Sequence, residues 1–299
     1  MTDELKKITV PDIFNRKPLK NNSDKKISVL TAYDFTLARL VDEAGIDIVL
    51  VGDSLACVVQ GLETTLPVTL EEAIYHSRCV SRAVKRALLV ADMPFLSYQL
   101  GKEKALEAAG RLLKEGGVSA VKLEGGLQIA ETIEHIVSFD IPVMGHVGLT
   151  PQSYHRMGGH KVQGRKHDKQ SLKAGTYERI LQDALAVEKA GAFGLFIECV
   201  PQDLAKEISE NVSIPTIGIG AGPHCDGQVL VLHDMLGLED RRNPKFVKRY
   251  ANLADNIKKS VASFIDEVQR DIYPAPEHSF NGDTSSRMKK SGGNKLQLV

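Results

Sequence analysis

The sequence predicts an α/β protein, specifically a (β/α)8 TIM barrel with an additional C-terminal helix. In its 299 residues, eight apolar runs of strand length alternate with segments of helical periodicity, in units short enough for right-handed crossovers. The length alone suits one large barrel or two ordinary domains, and the regular alternation favours the barrel over an open sheet. Four of the predicted strands also end on a carboxylate, where parallel α/β folds form their active sites. These residues are Asp53, Asp92, Glu124 and Glu198.

The predicted strands are short runs of apolar residues with few polar interruptions. Such runs are typical of parallel strands, which are buried on both faces. Glycine and proline lie at many of the boundaries and separate the strands from the helices. We expect strands over residues 27–33, 48–54, 88–92, 120–126, 142–148, 194–200, 215–220 and 227–233.

Apolar periodicity and end signals predict the helices. Thr69 and Glu72 have the spacing of a capping box, so a helix should begin there and continue to about residue 86. Gly116 and Gly117 follow an amphipathic segment and should end its helix. The other predicted helices span residues 35–45, 102–115, 127–139, 176–191, 201–210 and, beyond the barrel, 246–268.

We expect three parts in the chain. Residues 1–26 form a polar, charge-rich leader without an apolar core segment, so no secretory signal is visible. Residues 27–280 form the catalytic barrel with its C-terminal helix. Residues 281–299 are rich in Gly, Ser and Lys and lack a repeating apolar face, so we expect a disordered tail outside the fold.

The longest segment without clear periodicity, residues 149–173, leaves the carboxyl end of the fifth predicted strand. It contains several glycines, three histidines and four lysines. Substrate lids belong at this position of a barrel, whereas the alternative is a disordered surface insertion. A functionless loop of this length is uncommon inside a compact domain, so the lid is favoured.

Composition excludes several classes of partner. The 38 basic and 38 acidic residues balance to zero net charge, so the chain lacks the excess of positive charge that would favour binding to nucleic acid or an anionic membrane. No apolar run approaches the roughly 18 residues of a membrane-spanning helix. The four cysteines lack C-x-x-C spacing, which argues against a zinc site or a disulfide framework and for a reducing, cytoplasmic location. We therefore expect small molecules or further copies of the chain as partners.

The four strand-end acids indicate a catalytic site, although each one alone could simply cap the helix that follows it. Asp53, Asp92 and Glu124 are hard oxygen ligands on neighbouring strands, and this set suits Mg²⁺. Such a metal would keep open positions for a chelating substrate such as a 2-oxo acid. The alternative is a hydrogen-bonded carboxylate network without metal, in which the acids would repel one another.

Three further residues complete the predicted site. Lys122 lies two positions before Glu124, so both side chains point to the same side of their strand. Glu198 has apolar sequence neighbours, which would make its carboxylate more basic, as a general base requires; otherwise it is a fourth metal ligand. His146 ends its strand at the same mouth and either orients a substrate oxygen or is structural. The glycines of residues 218–222 either cradle an anion or permit a tight strand exit.

A series of ordered motifs extends over about residues 25 to 280. Together these motifs resemble the ketopantoate hydroxymethyltransferase family, also called 3-methyl-2-oxobutanoate hydroxymethyltransferase. The motifs are TAYD (31–34), VGDS (51–54), QG (60–61) with TLPVT (65–69), VKLEGG (121–126), GHVGLTPQ (145–152), KVQGR (161–165), ECVP (198–201), GIGAG (218–222) and EHSF (277–280).

The resemblance implies an enzyme of pantothenate (coenzyme A) biosynthesis. Members of the family transfer a one-carbon unit from 5,10-methylenetetrahydrofolate to 3-methyl-2-oxobutanoate and form 2-dehydropantoate through a Mg²⁺-stabilised enolate. The family also implies a homo-oligomer, specifically a homodecamer. Carried over to this sequence, the Mg²⁺ ligands are Asp53, Asp92 and Glu124, the proton acceptor is Glu198, and the substrate contacts are Asp53, Ser54, Asp92 and Lys122.

Two other functional classes stay open. A metal-dependent carbon–carbon lyase or mutase, acting on oxaloacetate-like or phosphoenolpyruvate-like substrates, would use the same barrel, metal and enolate. Such an enzyme would lack a folate site. A catalytically silent barrel that serves as a binding or assembly module would tolerate loss of the strand-end acids, all of which are present here.

Overall fold

The computed structural model describes residues 6–17, 25–165, 175–238 and 244–280. Within these ranges eight parallel strands form a closed barrel in sequence order, with the first strand paired to the eighth. The predicted (β/α)8 TIM barrel is therefore confirmed. The strands are β1 (Ile27–Thr31), β2 (Ile48–Val51), β3 (Leu88–Asp92), β4 (Ala120–Glu124), β5 (Val143–Gly148), β6 (Gly194–Glu198), β7 (Thr216–Ile219) and β8 (Gly227–Leu230).

Helices connect the strands from β1 to β7, and a short turn without a helix connects β7 to β8. Thr69 caps its helix as predicted, because its hydroxyl accepts a hydrogen bond from the Glu72 N–H while the Glu72 carboxylate accepts one from the Thr69 N–H. The main helices of the barrel are Phe35–Glu43, Leu70–Ala83, Lys102–Lys114, Ala130–Val137, Tyr177–Lys189 and Gln202–Asn211.

In the described ranges, four short helices were not predicted. Each has only four or five residues, which is too short for a helical period to emerge from the sequence. One of them lies in the segment predicted as a lid, whose residues 166–174 are outside the described part of the chain. The short helices are Val10–Phe14, Leu55–Val58, Tyr154–Met157 and Leu232–Met235.

The barrel has two apolar layers, because side chains alternate along each strand. One set of strand residues, such as Val49 and Leu123, packs with the surrounding helices. The other set, such as Leu50, Val90 and Met144, fills the interior of the barrel. Interior side chains are thus apolar through most of the barrel, and the acids of the predicted site lie at the carboxyl ends of the strands.

The amino-terminal segment differs from the expected polar leader. Residues Ile8 and Ile13 are buried in the same apolar cluster as the barrel interior, and the Ile8 N–H donates to the carbonyl oxygen of Arg86 just before β3. Lys17 is also buried, and its Nζ lies 2.8 Å from Asp226 Oδ2 and 2.6 Å from the Ser209 carbonyl oxygen. The segment 6–17 therefore packs on the amino-terminal end of the barrel. More than half of its residues are polar, so composition alone marks the segment as polar.

The C-terminal helix begins later than predicted. It spans Leu253–Gln269, and the chain divides into two compact units between Ala251 and Asn252. Phe246 was placed on this helix by the sequence pattern, but it lies before the helix and lines the cavity of the barrel unit. The expected tail at 281–299 lies outside the described residues. No helix in the described part of the chain is long and apolar enough to cross a membrane.

Candidate active site

A cavity of about 670 Å³ opens at the carboxyl ends of the strands. Alternation along the strands places the acids there: Asp92 continues the interior row of Leu88 and Val90, and Glu198 continues that of Phe196. Parallel register then brings residues from neighbouring strands side by side, as for Asp92 with Lys122. The cavity is lined by every residue of the predicted site, namely Asp53, Ser54, Asp92, Lys122, Glu124, His146 and Glu198.

Asp53 and Asp92 are linked through the backbone. Asp53 lies in the turn after β2, and its N–H donates to Asp92 Oδ2 over 3.0 Å. The other oxygen of Asp92 lies 3.0 Å from Lys122 Nζ, and both side chains are buried. Ser54 follows directly, and its hydroxyl lies 2.8 Å from the hydroxyl of the buried Tyr33. The turn after β2 therefore delivers an acid and a hydroxyl to the same mouth.

The buried charges of the site do not balance around Asp53. Burial raises the pKa of Asp53 well above its ordinary value, and the negative charges of Asp92 and Glu124 raise it further. Burial lowers the pKa of Lys122, but the charges of Asp92 and Glu124 outweigh burial and raise it. The lysine consequently stays protonated. The positive charge of Lys122 alone does not remove the repulsion of Asp53 by Asp92 and Glu124, so a further cation would be attracted to these three carboxylates.

His146 connects the acid of β4 with the acid of β6. Its Nε2 lies 3.2 Å from Glu198 Oε2, and its Nδ1 lies 3.5 Å from Glu124 Oε1 and 3.1 Å from Lys122 Nζ. Burial and the Lys122 charge lower the pKa of His146, but the two glutamates outweigh them and raise it to about 9. The imidazolium form is therefore favoured at neutral pH, and its Nε2 lies within ion-pair distance of Glu198.

Glu198 ends β6 and lines the cavity, where the sequence placed it, but its sequence neighbours do not surround its carboxylate. Its side chain is 17% exposed to the cavity, whereas those of Glu124 and His146 are nearly fully buried. The apolar neighbours Leu195 and Ile197 point to the surrounding helices rather than to the carboxylate. Only residues two positions apart share a strand face, so adjacency in sequence did not show what surrounds the carboxylate.

The glycine-rich turn after β7 is explained by close packing. Gly220 and Gly222 have positive φ values of 59° and 78°, which favour glycine. A Cβ at Gly220 would lie 2.8 Å from the Phe246 ring, and one at Gly222 would lie 2.5 Å from the Cβ of Gln202. Of the two interpretations, the structure supports the tight strand exit.

One residue that contacts the predicted acids was not identified from the sequence. Gln152 lies in the 3₁₀ turn Pro151–Ser153 after β5, and its side chain donates to Asp53 Oδ2 over 2.9 Å. Its backbone N–H donates to Glu124 Oε2 over 2.9 Å. The motif of residues 145–152 contained it, but no pattern of spacing relates a loop glutamine to acids on other strands.

The donor set fits a hard divalent cation. Among the residues that the structure describes, no three His, Cys, Asp or Glu side chains converge closely enough to enclose an ion as they stand. Asp53, Asp92 and Glu124 nevertheless share one cavity, carry only oxygen donors, and repel one another at Asp53. Such a set suits Mg²⁺, which keeps several waters and needs few protein carboxylates.

Comparison with known proteins gives the family. A family model described as ketopantoate hydroxymethyltransferase matches residues 7–276. A 3-methyl-2-oxobutanoate hydroxymethyltransferase of Pelobacter propionicus is 53% identical over 281 residues, covering 94% of this chain and 100% of the relative. Another protein of that name, from Geobacter sulfurreducens, is 56% identical over 273 residues, covering 91% of this chain and 98% of the relative.

Solved structures show the same fold at much lower sequence identity. A phosphoenolpyruvate phosphomutase from Streptomyces platensis subsp. rosaceus has a TM-score of 0.58 at 14% identity, covering 93% of each chain. A 2,3-dimethylmalate lyase has a TM-score of 0.57 at 16% identity, covering 94% of this chain and 91% of the other. At this identity the likeness concerns the barrel alone, whereas the family model and the relatives extend over almost the whole sequence. The chain belongs to the ketopantoate hydroxymethyltransferase family.

Proposed function

We propose that the protein transfers a one-carbon unit from 5,10-methylenetetrahydrofolate to 3-methyl-2-oxobutanoate and forms 2-dehydropantoate in pantothenate biosynthesis. The observation that carries this proposal is the convergence of all seven predicted site residues on one cavity. Relatives that share more than half of their residues with this chain are named for the same oxo acid and the same group transfer.

In this proposal Asp53, Asp92 and Glu124 hold Mg²⁺. The ion would polarise the 2-oxo group and so stabilise the negative charge that develops when carbon three loses its proton. Lys122 carries a positive charge beside Asp92 and would attract the carboxylate of the oxo acid. The hydroxyl of Ser54, in the turn after β2, would donate a hydrogen bond to the same substrate.

Glu198 removes the proton from carbon three. Its Oε2 is held 3.2 Å from His146 Nε2, and this contact leaves the other carboxylate oxygen for the substrate. Deprotonated carbon three forms a carbon–carbon bond with the methylene carbon that the folate carries, and both bonds from that carbon to folate nitrogens break. A water molecule supplies the hydroxyl group of 2-dehydropantoate, while its other proton and the proton taken up by Glu198 go to the two folate nitrogens. His146 orients Glu198 through this 3.2 Å contact.

The cavity has space for a second, larger ligand beside the oxo acid. Its volume of about 670 Å³ lies within the usual range for sites of drug-sized ligands. Away from the acids the wall is largely apolar, with Val58, Leu62, Leu149 and Val162 among its side chains. A flat pterin ring would be accommodated against such a wall.

We also propose that the protein assembles into a homo-oligomer in the cytoplasm. The helix Leu253–Gln269 exposes Ile257, Val261, Phe264 and Val268, and a contiguous apolar helix face normally has a partner. A second copy of the chain is the partner that family resemblance implies. Light scattering that gives the mass of a single chain would reject the assembly.

One assay tests the catalytic proposal. Tetrahydrofolate release from 5,10-methylenetetrahydrofolate should require both 3-methyl-2-oxobutanoate and Mg²⁺, and should disappear in a chelator. Cleavage or rearrangement of an oxo acid without folate would instead indicate a lyase or mutase. If neither reaction occurs in the folded protein, the barrel is a binding or assembly module.

A further inference from the structure

We propose that Gln152 is a positioning residue that sets which oxygens of Asp53 and Glu124 face the cation, and that it thereby favours Mg²⁺ over Ca²⁺. The inference rests on the proposed Mg²⁺ site. Gln152 comes from the turn after β5, yet it contacts acids that follow β2 and end β4. It is thus the bridge between two of the three predicted ligands.

Every polar group of the Gln152 side chain is already used within the protein. The Nε2 group donates to Asp53 Oδ2 over 2.9 Å and to the carbonyl oxygen of Met93 over 3.0 Å. The Oε1 atom accepts from the hydroxyl of Tyr98 over 2.7 Å. An amide with both of its hydrogens bound has no donor left for the substrate. Its role must therefore pass through the acids.

The Met93 carbonyl oxygen and Tyr98 fix the orientation of the Gln152 amide. The carbonyl oxygen can only accept, so the amide nitrogen must face it, and the shortest contact of the Tyr98 hydroxyl, 2.7 Å to Gln152 Oε1 against 3.0 Å to the Glu124 carbonyl oxygen, fits the same orientation. Both Tyr98 and Gln152 are buried, and water cannot readily replace these contacts. The amide therefore presents its N–H groups, and not its oxygen, to Asp53.

The two oxygens of each acid have different contacts. Oδ2 of Asp53 and Oε2 of Glu124 each accept from a donor of Gln152, so the oxygen of each acid that lacks this donor is the one offered to a cation. In Glu124 that oxygen lies 3.5 Å from His146 Nδ1. Mg²⁺ demands near-octahedral geometry with single oxygens, whereas Ca²⁺ also accepts both oxygens of a carboxylate. An arrangement that offers one oxygen from each acid therefore favours the smaller ion.

Gln152→Met tests the part of this role that acts on Asp53, because methionine has similar length but no hydrogen-bonding amide, whereas the backbone N–H that donates to Glu124 is kept. Calorimetry of the protein, first freed of metal, should show a Mg²⁺ dissociation constant about 10- to 100-fold higher, as is typical when a partner of a metal ligand is lost. The dissociation constant for Ca²⁺ should also rise, but by a factor at least about threefold smaller than that for Mg²⁺. The reason is that a released Asp53 can offer both of its oxygens to Ca²⁺. Gln128→Met is the matched control, since Gln128 is exposed and bonds Arg179 instead of the acids.

The possible results separate the roles. Dissociation constants that change by less than about twofold in Gln152→Met, or that rise equally for both ions, would overturn the inference. Tyr98→Phe should shift the same ratio in the same direction but less, and it decides the matter if Gln152→Met does not fold. If the unchanged protein binds no Mg²⁺, the proposed metal site fails and this inference fails with it. If the unchanged protein binds Mg²⁺ and Gln152→Met binds it with the same dissociation constant, only the positioning role is overturned and the metal site stands.

Discussion

Replacing Glu198 with glutamine should stop proton removal while leaving the site assembled. Glutamine has the same shape, and its amide oxygen can take the place of Glu198 Oε2, which lies 3.2 Å from His146 Nε2. Metal and oxo acid should therefore bind as before. Loss of the general base should lower turnover by about 10²- to 10⁴-fold, equivalent to about 3–5 kcal/mol of transition-state stabilisation.

Exchange of the carbon-three hydrogen with deuterated solvent isolates this step, because it requires no folate. The unchanged protein with Mg²⁺ should exchange the hydrogen of 3-methyl-2-oxobutanoate, and Glu198→Gln should not. Glu210→Gln provides the control, since Glu210 is an exposed residue on the helix that follows β6. Exchange in Glu198→Gln at the rate of the unchanged protein would refute the assignment and move the base elsewhere, with His146 the next candidate.

The same variant carries a second readout. Glu198 is one of the two anions that raise the pKa of His146 to about 9. Without that charge the pKa of His146 should fall toward its ordinary value of 6.5. An NMR titration of the metal-free proteins measures this shift directly. An unchanged histidine pKa would mean that Glu198 does not act on the ring as the geometry indicates.

Three further predictions concern binding and stability. Asp53→Ala should abolish Mg²⁺ binding in calorimetry. It should not lower the melting temperature of the metal-free protein, because removing this buried carboxylate relieves its repulsion by the neighbouring acids. Unfolding of the variant would mean that Asp53 has a structural role. Lys17→Met should cost about 3–5 kcal/mol in urea denaturation because it leaves Asp226 buried and unpaired, whereas Lys6→Met, in an exposed pair, should cost less than about 1 kcal/mol; equal costs would contradict the buried contact. The pKa of His146 is raised on folding, so its stabilising contribution is complete below pH 6.5 and is lost as the pH rises through about 9. The free energy of unfolding of the metal-free protein should therefore fall between these pH values. An unfolding free energy that does not change over this range would argue against an imidazolium at His146.

Much of the barrel could be predicted because its signals are local. Each strand is an apolar run, each helix repeats its apolar residues over one or two turns, and Thr69 with Glu72 marks a helix start within four residues. The site acids were found for the same reason, since alternation along β4 puts Lys122 and Glu124 on one face without reference to any other element.

The chemical assignment of the site depended on more than local pattern. Strand ends of a parallel barrel meet at one mouth, so four acids at such ends predict a shared cavity before any distance is known. The distances then decided which groups act together. His146 lies between Glu124 and Glu198, and this position makes it a cation that links two acids rather than an isolated histidine.

The sequence by itself determined the order of the elements and the residues that each strand presents to the interior. Only the tertiary structure decided the contacts between residues far apart in the chain, such as the bond from Gln152 to Asp53 and the burial of Lys17 against Asp226. It also placed Phe246 against the glycine turn after β7 instead of on the last helix. Local periodicity reports which face of an element is buried. The contacts of a loop side chain such as Gln152 form only when the barrel closes and brings distant strands together.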